Sequence, residues 1–146
     1  GLNTQPQKFP IQIPANTTCS ILIDQQKLTN AFPQLTVSNG KGSQIKVTYA
    51  EALFEDIKNK GHRDSIEGKS IHGVYDLFIA EGGASRTFTS LSYRTFRYLQ
   101  LDIKTEAQPL TIDNFGSWFT GYAFEKKAAF AASDPSLSKV FDIGWH

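Results

Sequence analysis

Apolar segments of strand length recur along most of the chain. Residues 44–49 alternate in polarity, so Ile45, Val47 and Tyr49 should point to one face of a strand and pack in a core. Six further segments are short and rich in β-branched or aromatic residues: 18–24, 35–37, 71–79, 93–103, 110–112 and 115–122. Together these patterns predict seven strands.

Turn-forming residues separate the predicted strands. The Asn-Gly-Lys-Gly sequence at 39–42 predicts a hairpin turn, because Asn and Gly tolerate positive φ. Phe32-Pro33 predicts a break between the strands at 18–24 and 35–37. The stretch 51–69, which is polar toward its end, predicts a long loop. Short strands with no long helix between them predict an all-β, antiparallel sandwich or barrel.

The C-terminal segment has a different pattern. A Ser-Asp-Pro sequence at 133–135 predicts the start of a helix. An apolar stripe on that helix comprises Leu137, Val140, Phe141 and Gly144. Because the stripe needs a partner surface and the chain stops at residue 146, we expect a β-sandwich at 1–125. Residues 126–146 are then expected to be a linker and the truncated first helix of a second domain.

Composition narrows the functional classes. The chain has 146 residues, 40% of them hydrophobic, which is enough for one folded domain. A formal net charge of +1 provides no cationic excess, so no nucleic-acid partner is predicted. No apolar stretch reaches the roughly 18 residues of a membrane span, and we expect neither a membrane partner nor a signal peptide. The absence of Met suggests a piece of a longer protein.

Residues that could hold a metal ion or act as a nucleophile are few. Cys19 is the one cysteine, which excludes an internal disulfide and a Cys-rich zinc site, and we expect it to be a small core residue. The three histidines, His62, His72 and His146, lack the spacing of a metal site. We therefore predict no metal and no cofactor.

Acidic residues cluster after the strand that ends at Tyr49. Glycoside hydrolysis needs two carboxyl groups that flank one bond. The acidic residues of this region are Glu51, Glu55, Asp56, Asp64 and Glu67. A cleft in the loop at 56–69 would make the chain a hydrolase by itself, but no pattern brings two of them together, and we assign no catalytic residue.

Two arginines in the most aromatic predicted strand allow two interpretations. Arg94 and Arg97 have opposite parity, so one of them should face inward unless a β-bulge intervenes. A buried arginine needs an ionic partner, and Glu51 is our candidate. Alternatively, Arg94, Arg97, Tyr93 and Glu51 line a sheet face that binds a hydroxyl-rich ligand such as a sugar.

Longer motifs resemble a known family from Gly42 onward. The most specific of them, in chain order, are YAEAL, FRYLQLDI and the pair TGYAFE and SDPSLSKVFDIGW. The chain is similar here to the β-sandwich just upstream of the catalytic domain in bacterial α-L-rhamnosidases. The resemblance implies a jelly-roll-like sandwich leading into an (α/α)₆ barrel, whose acidic residues hydrolyse terminal α-L-rhamnosides. It assigns no catalytic residue and no calcium site to this chain.

Two functions of different classes follow from the resemblance and the residues. The first is a non-catalytic accessory domain of an α-L-rhamnosidase that supports the downstream barrel of the same chain. The alternative is a carbohydrate-binding module that recognises rhamnose-containing glycans through Glu51, Tyr93, Arg94 and Arg97. The resemblance implies a bacterial setting, periplasmic or cytoplasmic, and leaves the compartment open.

Overall fold

The computed structural model describes residues 8–145, so residues 1–7 and His146 lie outside the described part. It is an all-β sandwich with a short C-terminal helix, as the sequence predicts. In chain order its elements are β1 (Ile11–Ile13), β2 (Thr18–Asn39), β3 (Gln44–Ala50), β4 (Tyr75–Ile79), β5 (Arg86–Thr89), β6 (Arg94–Lys104), β7 (Leu110–Phe119) and α1 (Pro135–Trp145).

Strand β2 belongs to both layers of the sandwich. Its first part, from Thr18 to Asp24, pairs with β6, which continues to β3 and β4. Its second part pairs with β7 on one side and with β5 on the other, and β7 continues to β1. The register with β6 shifts between Asp24 and Thr29, and the pairing with β6 continues to Ala31, where β7 begins to pair with β2.

The predicted break at Phe32-Pro33 is wrong, because β2 runs through it. The carbonyl of Pro33 accepts a hydrogen bond from the Ser90 amide at 3.3 Å. The nitrogen and carbonyl of a strand residue point to the same side, so the missing N–H of Pro33 also faces that side. On that side of β2 the neighbouring strand changes from β6 to β5 at Pro33. The missing N–H therefore costs the sheet no hydrogen bond between strands.

The predicted hairpin at 39–42 is also wrong, although the turn residues were identified correctly. Asn39 and Gly40 have φ values of 63° and 62°. Yet β2 and β3 do not pair with each other, and the turn takes the chain from one layer to the other. A Cβ on Gly40 would lie 2.6 Å from Leu110 Cδ1, so the turn also needs glycine for space.

Other strand boundaries differ from the predictions in smaller ways. Residues 71–74 precede β4 rather than belonging to it. The predicted strands at 110–112 and 115–122 are one strand, β7, which ends at Phe119, so residues 120–122 lie beyond it. Asp113 is unpaired beside a register shift within β7. Strands β1 and β5 have no clear sequence pattern, because β1 has three residues and β5 is exposed throughout.

The core lies between the two layers. As predicted, Ile45, Val47 and Tyr49 are buried in it. From the other strands it contains mainly Leu35, Val37, Phe96, Leu99, Leu101, Ile103, Leu110 and Ile112. Cys19 packs against this core and is partly buried, as expected for a small apolar side chain.

The stretch 51–69 is a loop, as predicted, and its bridges from Phe54 to Lys60 and to Ser70 fold it onto itself. It covers the outer side of the β2–β6–β3–β4 layer near Tyr98. That tyrosine is fully buried although it lies outside the main core cluster. Its hydroxyl donates a hydrogen bond to the carbonyl of Arg63, which attaches the loop to β6.

Helix α1 begins where the sequence predicts. Asp134 Oδ1 accepts a hydrogen bond from the Ser136 amide at 2.9 Å, which caps the helix. None of the described residues of α1 is buried. Its contacts with the segment before it are an ion pair between Lys126 and Asp142 at 2.8 Å and the stacking of Phe130 on Phe141 at 5.5 Å. No helix in the described residues is long and apolar enough to cross a membrane. The division into 1–125 and 126–146 stays a prediction.

Candidate functional site

Arg94 lies at the start of β6, on the side of the core. Its Nη2 contacts Asp76 Oδ1 at 2.5 Å, and its Nε donates to the second carboxylate oxygen at 3.2 Å. Tyr49 donates its hydroxyl to the same carboxylate at 2.9 Å and lies with its ring beside the guanidinium. The hydrogen bond to Asp76 raises the pKa of Arg94, while burial is the main cause that raises the pKa of Tyr49.

Arg97 lies on the opposite face of the same layer. Its Nε and Nη2 bind the two oxygens of Asp24 at 3.0 and 3.2 Å, and its Nη1 contacts Asp64 of the loop. Arg97 therefore connects β2, β6 and the loop through one side chain. The hydrogen bonds to both aspartates raise the pKa of Arg97, and the bond from Arg97 lowers the pKa of the Asp64 carboxyl.

The parity prediction is confirmed, but the predicted partner is wrong. Arg94 contacts the core residue Tyr49, whereas Arg97 lies on the other face with Asp24 and Asp64, as alternation along β6 predicts. Glu51 contacts neither arginine, because it lies on the exposed loop and approaches Lys60 at 3.6 Å. A sequence gives no cross-strand register, so it could not identify Asp76 on β4 or Asp24 on β2 as partners.

The four predicted ligand-binding residues are not all brought together. Arg94 and Arg97 are engaged with carboxylates, and Glu51 lies on the loop. Tyr93 is exposed and meets Phe32 edge to face at 6.4 Å, on the β5–β2–β7 side of the molecule. The paired guanidinium groups make this region suited to holding strands and loop together. The ligand-binding role of the four residues stays a prediction.

The acidic residues of the loop are used locally. The Asn59 side chain donates a hydrogen bond to Asp56 at 2.8 Å, and the backbone amides of Lys58 and Asn59 donate two more. The bond from the Asn59 side chain is the main cause that lowers the pKa of Asp56, and the two backbone bonds add to it. Glu55 pairs with Lys69 at 2.5 Å. Within residues 8–145 no three His, Cys, Asp or Glu side chains lie close enough to hold a metal ion.

A cleft of about 540 Å³ opens between β4 and β5, where neither strand has a further neighbour. It is lined largely by Leu35, Val37, Ile45, Phe78 and Phe88, with an ion pair between Glu81 and Arg86 at its rim. Its lining is mostly apolar, and several of these residues belong to the core. The cleft is thus the open margin of the core between the two layers.

The outer side of the other layer has a different chemistry. Residues directly opposite each other in antiparallel strands point to the same face. The pairings of β2 with β5 and β7 therefore define one outer face, formed by Phe32, Gln34, Thr36, Thr87, Thr89, Asn114, Gly116 and Trp118. We call it the β5–β2–β7 face. These eight residues are neutral, and Trp118 is 67% exposed. At the end of the face, Asp113 accepts a hydrogen bond from Ser38 at 2.6 Å.

The sequence matches one family model, which is described as the bacterial α-L-rhamnosidase concanavalin-like domain, over residues 16–122. The chain belongs to this family. The matched region of the concanavalin-like domain runs from just before β2 to just after β7 and includes both layers of the sandwich. The resemblance stated from the sequence motifs is confirmed.

A solved structure is similar to this concanavalin-like domain. The crystal structure of the family GH78 rhamnosidase of Bacillus sp. GL1 matches with a TM-score of 0.68 and 18% sequence identity. The match covers 95% of this chain and 14% of that one, so the chain spans a small part of its structural relative. At this identity the likeness supports the β-sandwich fold. A search of curated proteins found no match.

Proposed function

We propose that this chain is a non-catalytic accessory domain of an α-L-rhamnosidase, an enzyme that removes terminal α-L-rhamnosyl groups. In this proposal the domain packs on the catalytic (α/α)₆ barrel of the same polypeptide and helps to shape it. Membership of the concanavalin-like domain family supports the link to rhamnosidases. The observation on which the packing role mainly rests is the exposed apolar face of α1.

Leu137, Val140 and Ile143 are between 44% and 76% exposed although they follow one another at helical spacing. Apolar area left in water is unfavourable by about 25 cal/mol per Å², so such a face is stabilised when another surface covers it. The segment before the helix adds exposed aromatic rings at Tyr122 and Phe124. This combination favours a protein partner for the C-terminal segment.

The state of the carboxylates supports the non-catalytic part of the proposal. A glycosidase keeps two carboxyl groups free to reach the sugar, with one of them protonated near neutral pH. Here Asp64 and Asp76 are bound by arginines and Glu55 is bound by a lysine. Hydrogen bonds lower the pKa of Asp56 and of Asp64, whereas a general acid needs a raised pKa.

An activity assay tests the proposal directly. The 146-residue chain should release no aryl alcohol from an aryl α-L-rhamnoside, whereas the full polypeptide that contains it should. Any turnover by the purified chain would contradict the non-catalytic role. Its loss in Asp64→Asn or Glu67→Gln would place the catalytic site in the loop, and its retention in both would place that site elsewhere in the sandwich.

The packing role has its own test. Val140→Asp places a charge on the exposed face of α1, where the isolated chain should tolerate it because no residue of the helix is buried. In the full polypeptide the same change should lower the thermal midpoint and expose the junction to protease. Ser138→Asp on the same helix serves as the matched control. Equal behaviour of the two variants in the full polypeptide would overturn this role.

The alternative function, glycan binding through Glu51, Tyr93, Arg94 and Arg97, has weaker support at those positions. Adjacent sugar hydroxyls need donors and acceptors that are not already paired. Both guanidinium groups already donate to aspartates, and Glu51 is remote from them. Of the four residues, only Tyr93 lies next to the β5–β2–β7 face, and its side chain is exposed there. The neutral amide and hydroxyl side chains of that face are better suited to a sugar.

A further inference from the structure

We propose that the β5–β2–β7 face binds a neutral saccharide, with Trp118 stacking on a sugar ring and Gly116 leaving room for it. The location and the ligand class come from the side chains of this face. Only the choice of a rhamnoside as the first probe rests on the proposed function.

Gly116 is the central observation. It lies within β7, in register with Gln34 of β2, at a position that points outward. Its φ is not positive, and a Cβ built on it would meet no atom within 4 Å. Glycine weakens a strand, and where no turn or internal contact requires it, it often marks the close approach of a ligand or another backbone. Gly116 therefore leaves a gap that nothing in the described chain fills.

Aromatic side chains lie at one end of this gap. Trp118 is the next outward residue of β7 and stands directly opposite Phe32 on β2. Tyr93 extends the group, since its ring meets that of Phe32. An exposed indole is a flat apolar surface with a polar N–H at its edge. The C–H face of a pyranose can pack on such a ring while the sugar hydroxyls stay in hydrogen-bonding contact with polar groups.

Those polar groups lie on the other side of the gap. Gln34 and Asn114 provide amide donors and acceptors, and Thr36 provides a hydroxyl. Gln34 donates to Thr89 at 3.2 Å and Thr36 contacts Thr87 at 3.0 Å, which orients both side chains along the face. Amides and hydroxyls that act both as donor and as acceptor suit hydroxyl groups, which also do both.

The same features argue for a saccharide over a macromolecular partner. All eight residues of the face are neutral and the charged residue at its end, Asp113, is acidic, whereas nucleic acid would need cationic contacts to its phosphates. The centre of a protein interface is usually an apolar cluster, but here the middle positions are Gln34, Thr36 and Gly116. A second protein backbone in the gap is the competing occupant, and the variants below separate the two.

Calorimetric titration of the 146-residue chain with an α-L-rhamnosyl disaccharide, and in parallel with cellobiose, tests the proposal. We expect heat of binding at millimolar saccharide for at least one of the two. Trp118→Ala should weaken that binding about tenfold or more, which corresponds to about 1.4 kcal/mol. Tyr122→Ala removes an exposed aromatic ring outside the face and should leave the affinity unchanged.

Gly116→Val is the sharper variant, because it fills the gap without a clash inside the chain. It should abolish saccharide binding while the urea midpoint stays the same or rises. Gly144→Val adds the same group at an open glycine of α1 and serves as its control.

No heat with either saccharide, or binding that survives Gly116→Val, would overturn the proposal. Gly116→Val that instead destabilises the full polypeptide without affecting saccharide binding would assign the gap to a protein partner and also overturn it. The packing role of α1 is judged separately, by Val140→Asp.

Discussion

The sandwich and the C-terminal segment differ in how their apolar residues are covered. On β6, Phe96, Leu99 and Leu101 are fully buried by strands of the same chain. On α1, the apolar residues remain exposed and no residue is buried. The sandwich therefore contains the contacts that stabilise it, whereas the helix has an apolar face that its own chain leaves uncovered. Both segments have amphipathic sequence patterns, so the pattern alone does not tell which surface covers a face.

The largest effect should come from the core. Phe96 is 0% exposed and packs against Tyr49, with ring centroids 5.7 Å apart. Phe96→Ala should lower the free energy of unfolding by about 3–5 kcal/mol, because it leaves a cavity. Urea denaturation followed by fluorescence measures the change, and Phe124→Ala in the exposed segment is the control. A loss under about 1 kcal/mol would place the core on other residues of β6.

A smaller effect is expected where Arg97 joins the strands to the loop. Arg97→Ala removes the two-oxygen contact with Asp24 and the contact with Asp64. Because hydrogen bonds to charged groups contribute about 1.5–3 kcal/mol and the site is partly exposed, we expect a loss of about 1–2 kcal/mol. Arg97→Lys keeps the charge but not the forked geometry, and should lose part of this. Equal stability of all three proteins in urea denaturation would contradict a structural role for Arg97.

The loop contact should also depend on pH. Arg97 lowers the pKa of Asp64 in the folded protein below its ordinary value of about 3.9. The contribution of this pair is thus present above the pKa of the unfolded state and is lost as the pH falls through the lower, folded pKa. NMR titration of the Asp64 carboxyl should give a midpoint below 3.9, and Arg97→Ala should raise it. An unchanged midpoint in the variant would show that Arg97 does not cause the shift.

The smallest effect on the sandwich should come from the helix. Asp134→Ala removes the cap of α1, a change that costs helices about 0.5–2 kcal/mol. Since α1 contributes no buried residue, the unfolding midpoint of the sandwich should shift by less than about 0.5 kcal/mol in free energy. Circular dichroism should show lost helix at 222 nm. Because Trp145 lies in α1, fluorescence is measured in a Trp145→Phe background, where Trp118 of β7 reports the unchanged sandwich. A coupled loss in both signals would mean that helix and sandwich are one cooperative unit.

Local patterns predicted the elements well where a single strand determines its own pattern. Residues 93–103 were predicted as a strand and β6 spans Arg94–Lys104, and the buried positions of β3 follow from its alternation. Failures occurred where the answer depends on a distant neighbour. Pro33 is tolerated in β2 only because the partner strand changes beside it, and the turn at Gly40 crosses between layers rather than closing a hairpin.

The candidate site shows the same division. The presence of Arg94 and Arg97 on opposite faces followed from parity, but Asp76 and Asp24 could not be named without the register of β4 and β2. The sequence does not distinguish Gly116 from the glycines of turns. Only its φ and the open space around it show that neither the turn geometry nor an internal contact requires glycine there. The arginine partners and the β5–β2–β7 face were therefore less predictable than the core.

The double membership of β2 has a consequence for how the domain forms. Its partners lie far along the chain, and even the contact that closes its N-terminal end joins Thr17 to Thr105 across 88 residues. During synthesis β2 is complete long before β6 and β7 exist, and neither layer can close without it. Pairings of such sequence separation make folding slow, and they expose a 22-residue segment in the meantime. Both layers can therefore close only after the last of the partners of β2, near the C-terminal end of the sandwich, has been synthesised.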